Sequence, residues 1–137
     1  MWVLYALLSA VFAALTSIFA KIGIQDINSN LATAIRTIIV LIMSWAIVFF
    51  TGKHNDIGNI GQRNLLFLIV SGIATGLSWL CFYKALQIGD ASKVIPIDKF
   101  SLVIGMVLAF VVLKETVTIK TIIGGVLITL GTFVLIL

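Results

Sequence analysis

Five charged residues interrupt or close otherwise apolar stretches of the chain: Lys21, Arg36, Lys84, Asp98 and Lys99. A charge at the centre of a membrane helix costs about 2.5–3.5 kcal/mol on insertion scales and marks a functional position by default. Measured from the nearest polar break, all five lie within about two helical turns of one side. Four are cations and one is an anion, a balance that favours an anionic or zwitterionic small molecule over a simple cation. Asp98 has a short side chain. It needs a partner, water or a proton, so it is either half of an ion pair with Lys84 or Arg36 or a ligand group in its own right.

Helical phase sorts the neighbours. At about 100° per residue, Ser101, Gly105 and Ala109 fall within about 60° of Asp98, which places Asp98 on a small-residue face expected to pack inward or line a cavity. Lys99 is rotated about 100° away, beside Val103, Met106 and Phe110. Trp79 and Tyr83 add aromatic and hydrogen-bonding groups at a compatible depth. The candidate substrate-binding set is therefore Asp98, Lys84, Arg36, Trp79, Tyr83, Lys21 and Ser101. For Lys21, Lys84 and Lys99 a second reading stands beside the first: their alkyl stems let the ammonium snorkel to the membrane interface.

These residues need elements to hold them. The chain has 137 residues, 61% hydrophobic and 10% charged, with mean hydropathy +1.25. Soluble domains run about 45–50% apolar and about 25% charged, and a chain this short has no interior large enough to hide the excess. The composition predicts an all-α integral membrane protein, one transmembrane domain over residues 1–137. Five apolar segments are expected as spans, roughly Trp2–Gly23, Leu31–Thr51, Leu65–Gln87, Ser92–Leu113 and Thr118–Leu137. Each is long enough to cross a hydrocarbon core of about 30 Å. Helices are the expectation because lipid cannot satisfy open backbone groups and strand-like alternation is lacking. The opening MWVLYALLSAVFAALTSIFAK has no Lys or Arg ahead of its apolar run, which continues for about twenty residues, the length of a span rather than of a cleaved leader.

Other chemistries lack their residues. The single Cys81 provides no intramolecular disulfide or cysteine-built metal site. His54 lies in a polar break and reads as a solvated loop residue. No nucleotide-binding glycine motif or zinc spacing occurs, and no nucleophile–base pair can be assembled, so neither an enzyme nor a cofactor or metal is expected. The net charge of +4 reads as Lys and Arg facing lipid phosphates rather than nucleic acid. Pro96 stands in or near the first turns of the fourth span. There its missing N–H costs least, or it loosens the helix so that carbonyls face a cavity.

Small residues at helical spacing mark close helix approach in lipid: Ala6, Ala10, Ala14 and Ser17 in the first span, Gly72 and Gly76 in the third, Gly124 and Gly131 in the fifth. With five spans the termini lie on opposite sides. Lys53, Arg63, Lys114 and Lys120 then fall on one side, and Lys21, Arg36, Lys84, Lys93 and Lys99 on the other. Lys and Arg bias normally sets orientation, and so even a split sets it weakly. The expectation is insertion in both orientations and an antiparallel homodimer, which would supply the two inverted halves that alternating access uses. A single orientation, with embedded residues such as Arg36 not counting fully, is the alternative.

The segments WLCFYKALQIGDASKVIPI and LAFVVLKETVTIKTIIGGVLITLGTFVL carry a resemblance. Tyr83 with Ala85 and Leu86 near the end of one span, a short turn, Ser92 opening the next, Glu115 at its exit and a closing span with Gly124, Gly125 and Gly131 resemble the EamA family of the drug/metabolite transporter superfamily. The match extends over essentially the whole chain, with Lys21 and Arg36 fitting more loosely. It implies one five-span repeat of a fold whose longer members carry two, and a multi-pass cell-membrane transporter of small metabolites working as a homodimer by alternating access. A lipid-linked carrier or flippase of polar headgroups, or a non-transporting membrane subunit, are the other functions open to the pattern. Three departures stand out: Lys114 replaces a Gly common before the exit Glu, a proline common near Phe100 or Ser101 is missing, and span one has no acidic residue. The last means that the proton-coupled cation mechanism of the four-span relatives does not carry over.

Overall fold

The computed structural model describes residues 2–137 of the chain. Six α-helices follow in order: α1 Trp2–Gly23, α2 Ser29–Phe50, α3 Gln62–Ile88, α4 Ala91–Asp98, α5 Ser101–Leu113 and α6 Ile119–Ile136, with a short 3₁₀ helix Lys53–Asn59 between α2 and α3. Among the described residues there is no strand. Four stretches are long and apolar enough to cross a membrane, Trp2–Gly23, Ser29–Phe50, Gln62–Ile88 and Ala91–Leu113, and α6 is a shorter apolar helix. The expected all-α membrane architecture is therefore present. One expected element is not continuous: the fourth span is two helices, α4 and α5.

The hydroxyls of these helices are satisfied within them. Ser17, Thr33, Thr37, Ser44, Thr75, Thr129 and Thr132 each donate to the carbonyl four residues back, at 2.7–2.9 Å. With no water in the hydrocarbon, a span closes its polar groups on itself. Caps finish the ends. The Asn28 side chain accepts from the Asn30 amide at 2.9 Å at the start of α2, and Thr118 Oγ1 accepts from the Thr121 amide at 3.2 Å at the start of α6. Gly52 (φ 68°) follows the end of α2 in the left-handed conformation that favours glycine. Lys114 adopts the same region (φ 55°) at the end of α5.

The chain divides into two compact units. In the unit Ile18–Gln87, the buried residues gather at one end of α1, α2 and α3: Ala20, Ile24, Ser29, Thr33, Tyr83 and Leu86. Ile24 and Leu86 are completely enclosed. The rest of the large apolar side chains on these helices are exposed, as faces turned to lipid require.

In the unit that contains Ile88–Leu137, α4 and α5 both pack on α6. A β-carbon at Gly125 would lie 3.2 Å from Met106 Cε, so α6 presents a notch that receives the Met106 tip. Phe100 and Phe133 meet edge to face at 6.4 Å. The α4–α5 break has a clear hydrogen-bond signature. Pro96 has no N–H to give to the Ser92 carbonyl. Beyond it the Phe100, Leu102 and Val103 amides bond three residues back, to Ile97, Lys99 and Phe100, at 2.9–3.0 Å. The Leu102 amide is thereby taken from the Asp98 carbonyl. Pro96 lies in the sixth position of α4, and the helix loosens just beyond it.

Candidate functional site: a stacked arginine beside an apolar trough

Arg36 lies about 10 Å along α2 from Ser29, at 1.5 Å per residue. Its guanidinium carbon sits 4.1 Å from the Trp79 ring centroid and 5.5 Å from that of Tyr83, both on α3. Trp79 and Tyr83 are four apart and therefore lie one above the other on a single face of α3. Tyr83 is buried, while Arg36 and Trp79 are half-buried. The unit holding them contains two carboxylates, Asp26 and Asp56. Asp56 pairs with Lys53 at 3.8 Å, and among the described residues Arg36 forms no ion pair or hydrogen bond. Its charge is balanced by ring faces alone, each such contact worth about 0.5–2 kcal/mol according to desolvation. The five guanidinium N–H donors stay available for a ligand, in a fork that matches a carboxylate or phosphate.

Trp79 is also a wall of a second feature. A shallow open trough of about 280 Å³ runs along α2, lined by Val40, Leu41, Trp45 and Val48, with Trp79 of α3 at its side. The Thr37 and Ser44 hydroxyls at its side give their protons to the Thr33 and Val40 carbonyls and keep only acceptor sites for a ligand. The same indole thus touches a cationic head and an apolar channel.

Two polar links frame this site at the end of α3. Lys21 Nζ donates to the Leu86 carbonyl at 2.6 Å. Gln87 Nε2 donates to the Ile27 carbonyl at 2.8 Å, in the α1–α2 turn. The last four carbonyls of a helix lack an intrahelical partner, and a cation at that end also meets the negative pole of the helix dipole. Lys21 thus fills a helix-capping position.

The remaining candidates have local partners. Lys84 is exposed, with Nζ 3.3 Å from Gln87 Oε1. Asp98 pairs with its neighbour Lys99 at 3.3 Å, whereas expectation had paired it with Lys84 or Arg36. Ser101 and Gly105 are exposed. Val103 and Met106 of α5 face α6 together with part of Phe110, while of the expected small-residue stripe only Ala109 is part-buried. The physical reason is the α4–α5 break. Turns closed three residues back advance about 120° per residue, so a phase carried across them at 100° is wrong. The bulky face is also the one that fits the Gly125 notch.

Of the predicted set, the structure brings Arg36, Trp79 and Tyr83 into contact, and Lys21 onto the frame behind them. Sequence reasoning missed Gln87, Trp45 and the trough. A polar Gln in the last turn of a span was the available signal for the first; the α2 positions 37, 40, 41, 44, 45 and 48 are at helical spacing and were the signal for the last. Among the described residues no group of His, Cys, Asp and Glu is arranged to hold a metal.

Comparison with known proteins gives a consistent set of matches. The profile of the EamA-like transporter family matches residues 1–137. A protein from Sinorhizobium sp named "Uncharacterized transporter in cobO 3'region" is 44% identical over 134 residues, 98% of this chain and 95% of its own length. An uncharacterized protein of Methanocaldococcus jannaschii is 32% identical over 133 residues, 97% of this chain and 94% of its own. No solved structure matches.

Proposed function

Because the chain belongs to the EamA-like transporter family, we propose that it is a secondary transporter that carries a small anionic or zwitterionic metabolite across the cell membrane by alternating access, as an antiparallel homodimer. The family and the membrane-length apolar helices make it a multi-pass protein of the cell membrane. The observation that carries the substrate sign is the Arg36 guanidinium, held against Trp79 and Tyr83 inside two spans with no carboxylate beside it. A cation left unneutralised in a span is costly, and a structural role would be served more cheaply by an apolar residue.

In this reading Arg36 binds the anion, Trp79 and Tyr83 orient its guanidinium, and Lys21 and Gln87 hold the end of α3 that carries the rings. Asp98 and Lys84 serve the pathway as exposed or half-exposed charges. The broken fourth span supplies the bend that opening and closing requires. The near-even split of Lys and Arg between the two sides supports the dual orientation.

Two measurements test this. Purified protein in liposomes, loaded with a panel of radiolabelled organic anions, should show saturable flux that Arg36→Ala abolishes while the variant still inserts. Flux confined to cations, or full anion flux by Arg36→Ala, refutes the assignment. A C-terminal tag probed from each face of the membrane should be reached from both; labelling from one face only removes the antiparallel pair.

A further inference from the structure

The trough beside Arg36 narrows the substrate class. We propose that the site takes a carboxylate carried on an apolar body, with the carboxylate on the Arg36 fork and the apolar body laid along α2 in the trough under Trp79. The inference deepens the transporter reading above and rests on it.

Three observations converge. First, the cationic head has free donors and no acidic neighbour within its unit. A planar fork favours a planar bidentate oxyanion. Second, the trough that shares Trp79 with it is apolar. Val40, Leu41, Trp45 and Val48 line it, and its two hydroxyls already donate to their own helix. Acceptor groups on a hydrophilic substrate would find no donor there, at a cost comparable to a lost hydrogen bond each. Third, the dimensions fit a small molecule. The volume of about 280 Å³ is just below the range of about 300–1,000 Å³ for small-ligand pockets, room for a small body only. From Thr37 to Val48 the trough extends about 16 Å along the helix, room for one short chain or ring rather than the paired chains of a phospholipid.

The site is directly testable because tryptophans line it. Trp45 and Trp79 are wall residues, and Trp2 lies in the other unit. A Trp2→Phe background therefore gives a fluorescence signal reporting on the trough. Octanoate, acetate and octan-1-ol are titrated into this protein in detergent and in phosphatidylcholine nanodiscs. Octanoate should half-saturate at a concentration at least tenfold below either control, because each control lacks one half of the recognised pair. Arg36→Ala should raise the octanoate value at least tenfold, and Arg36→Lys should recover only part of that. Val40→Phe fills the trough without touching the head. It should weaken octanoate while leaving acetate unchanged, and it decides the matter if Arg36→Ala loses its helical circular dichroism.

Octanol matching octanoate, acetate matching octanoate, or a folded Arg36→Ala with unaltered octanoate binding overturns the proposal. So does loss of the octanoate response when phosphatidylglycerol replaces phosphatidylcholine, since the occupant is then a membrane lipid. Failure of the parent reading looks different. Octanoate binding as expected, with no organic anion moving in liposomes, keeps the site and removes transport. Arg36-independent flux with no octanoate response keeps transport and removes the site.

Discussion

Replacing Lys21 by Met separates a frame residue from a substrate ligand. Met keeps most of the stem and its apolar contacts but has no donor for the Leu86 carbonyl. That carbonyl belongs to the last turn of α3, on a residue with no exposed surface, and receives Lys21 Nζ at 2.6 Å. A hydrogen bond to a charged group is worth about 1.5–3 kcal/mol, and stranding a buried acceptor costs about 1–3 kcal/mol. Lys21 is itself only half-buried, which places the expectation at the lower end, about 1.5–2 kcal/mol. The neighbouring link gives an internal scale. Gln87→Leu removes a neutral bond to the Ile27 carbonyl, worth about 0.5–1.5 kcal/mol. Both links tie the end of α3 to the α1–α2 hairpin from consecutive residues, so the double variant should depart from additivity by at least about 0.5 kcal/mol. Unfolding by sodium dodecyl sulfate in mixed micelles, followed by circular dichroism, measures all four species. Lys21→Arg should keep most of the stability. A Lys21→Met protein within about 0.5 kcal/mol of the parent, but tenfold weaker for an anionic ligand, refutes the capping role and returns Lys21 to the binding site.

Asp98→Ala should lower flux in liposomes while membrane insertion is retained; its pair with Lys99 is part-exposed on both sides and worth at most about 1 kcal/mol, so full activity removes Asp98 from the pathway. Gly125→Val drives a branched side chain into the Met106 tip and should cost about 1–3 kcal/mol, whereas Gly124→Ala, with open space around its β-carbon, should stay within about 0.5 kcal/mol; thermal unfolding in detergent compares them. Lys114→Gly should stabilise by about 1 kcal/mol, since it relieves a left-handed backbone at φ 55° in a residue with a β-carbon. An unchanged or lower melting temperature would show that the lysine side chain more than offsets that strain.

Most of the fold was legible because it follows from one strong signal. Twenty-residue apolar segments between short polar breaks admit one architecture in lipid, and α1 and α2 begin and end within two residues of the expected limits. The contact between Arg36 and its rings was legible in part. An embedded Arg must find a partner, and Trp79 and Tyr83 were at the right depth. What the sequence did not yield was direction. The phase of α5 was extrapolated through a proline-weakened stretch, and three tightened steps turn it by about 60° from the regular value. Lys21 was a donor without a visible acceptor, because carbonyls leave no mark in a sequence. The odd Lys114 was visible as a departure, yet only its φ gives the reason: the position asks for a left-handed residue, and glycine is the one that adopts it without cost.

The two units differ in kind, and the difference bears on mechanism. Ile18–Gln87 holds the stacked cation, the trough and both cross-helix polar links, all on helices whose backbone ladders are intact. The unit with Ile88–Leu137 holds the proline, the break and the diverted Leu102 amide. A carrier needs recognition geometry that survives the motion and a segment whose motion is cheap. A span with intact ladders bends at the cost of several hydrogen bonds in a solvent that replaces none of them. A span already missing the Pro96 bond and closing its next turns three residues back can bend there with less to lose. The sequence therefore puts its rigidity where the proposed ligand groups are and its weakness at Pro96–Phe100. Restoring a continuous ladder by Pro96→Ala should slow flux while leaving octanoate binding in the Trp2→Phe background unaltered. If flux and binding fell together, the broken span would be part of the recognition site rather than the element that moves.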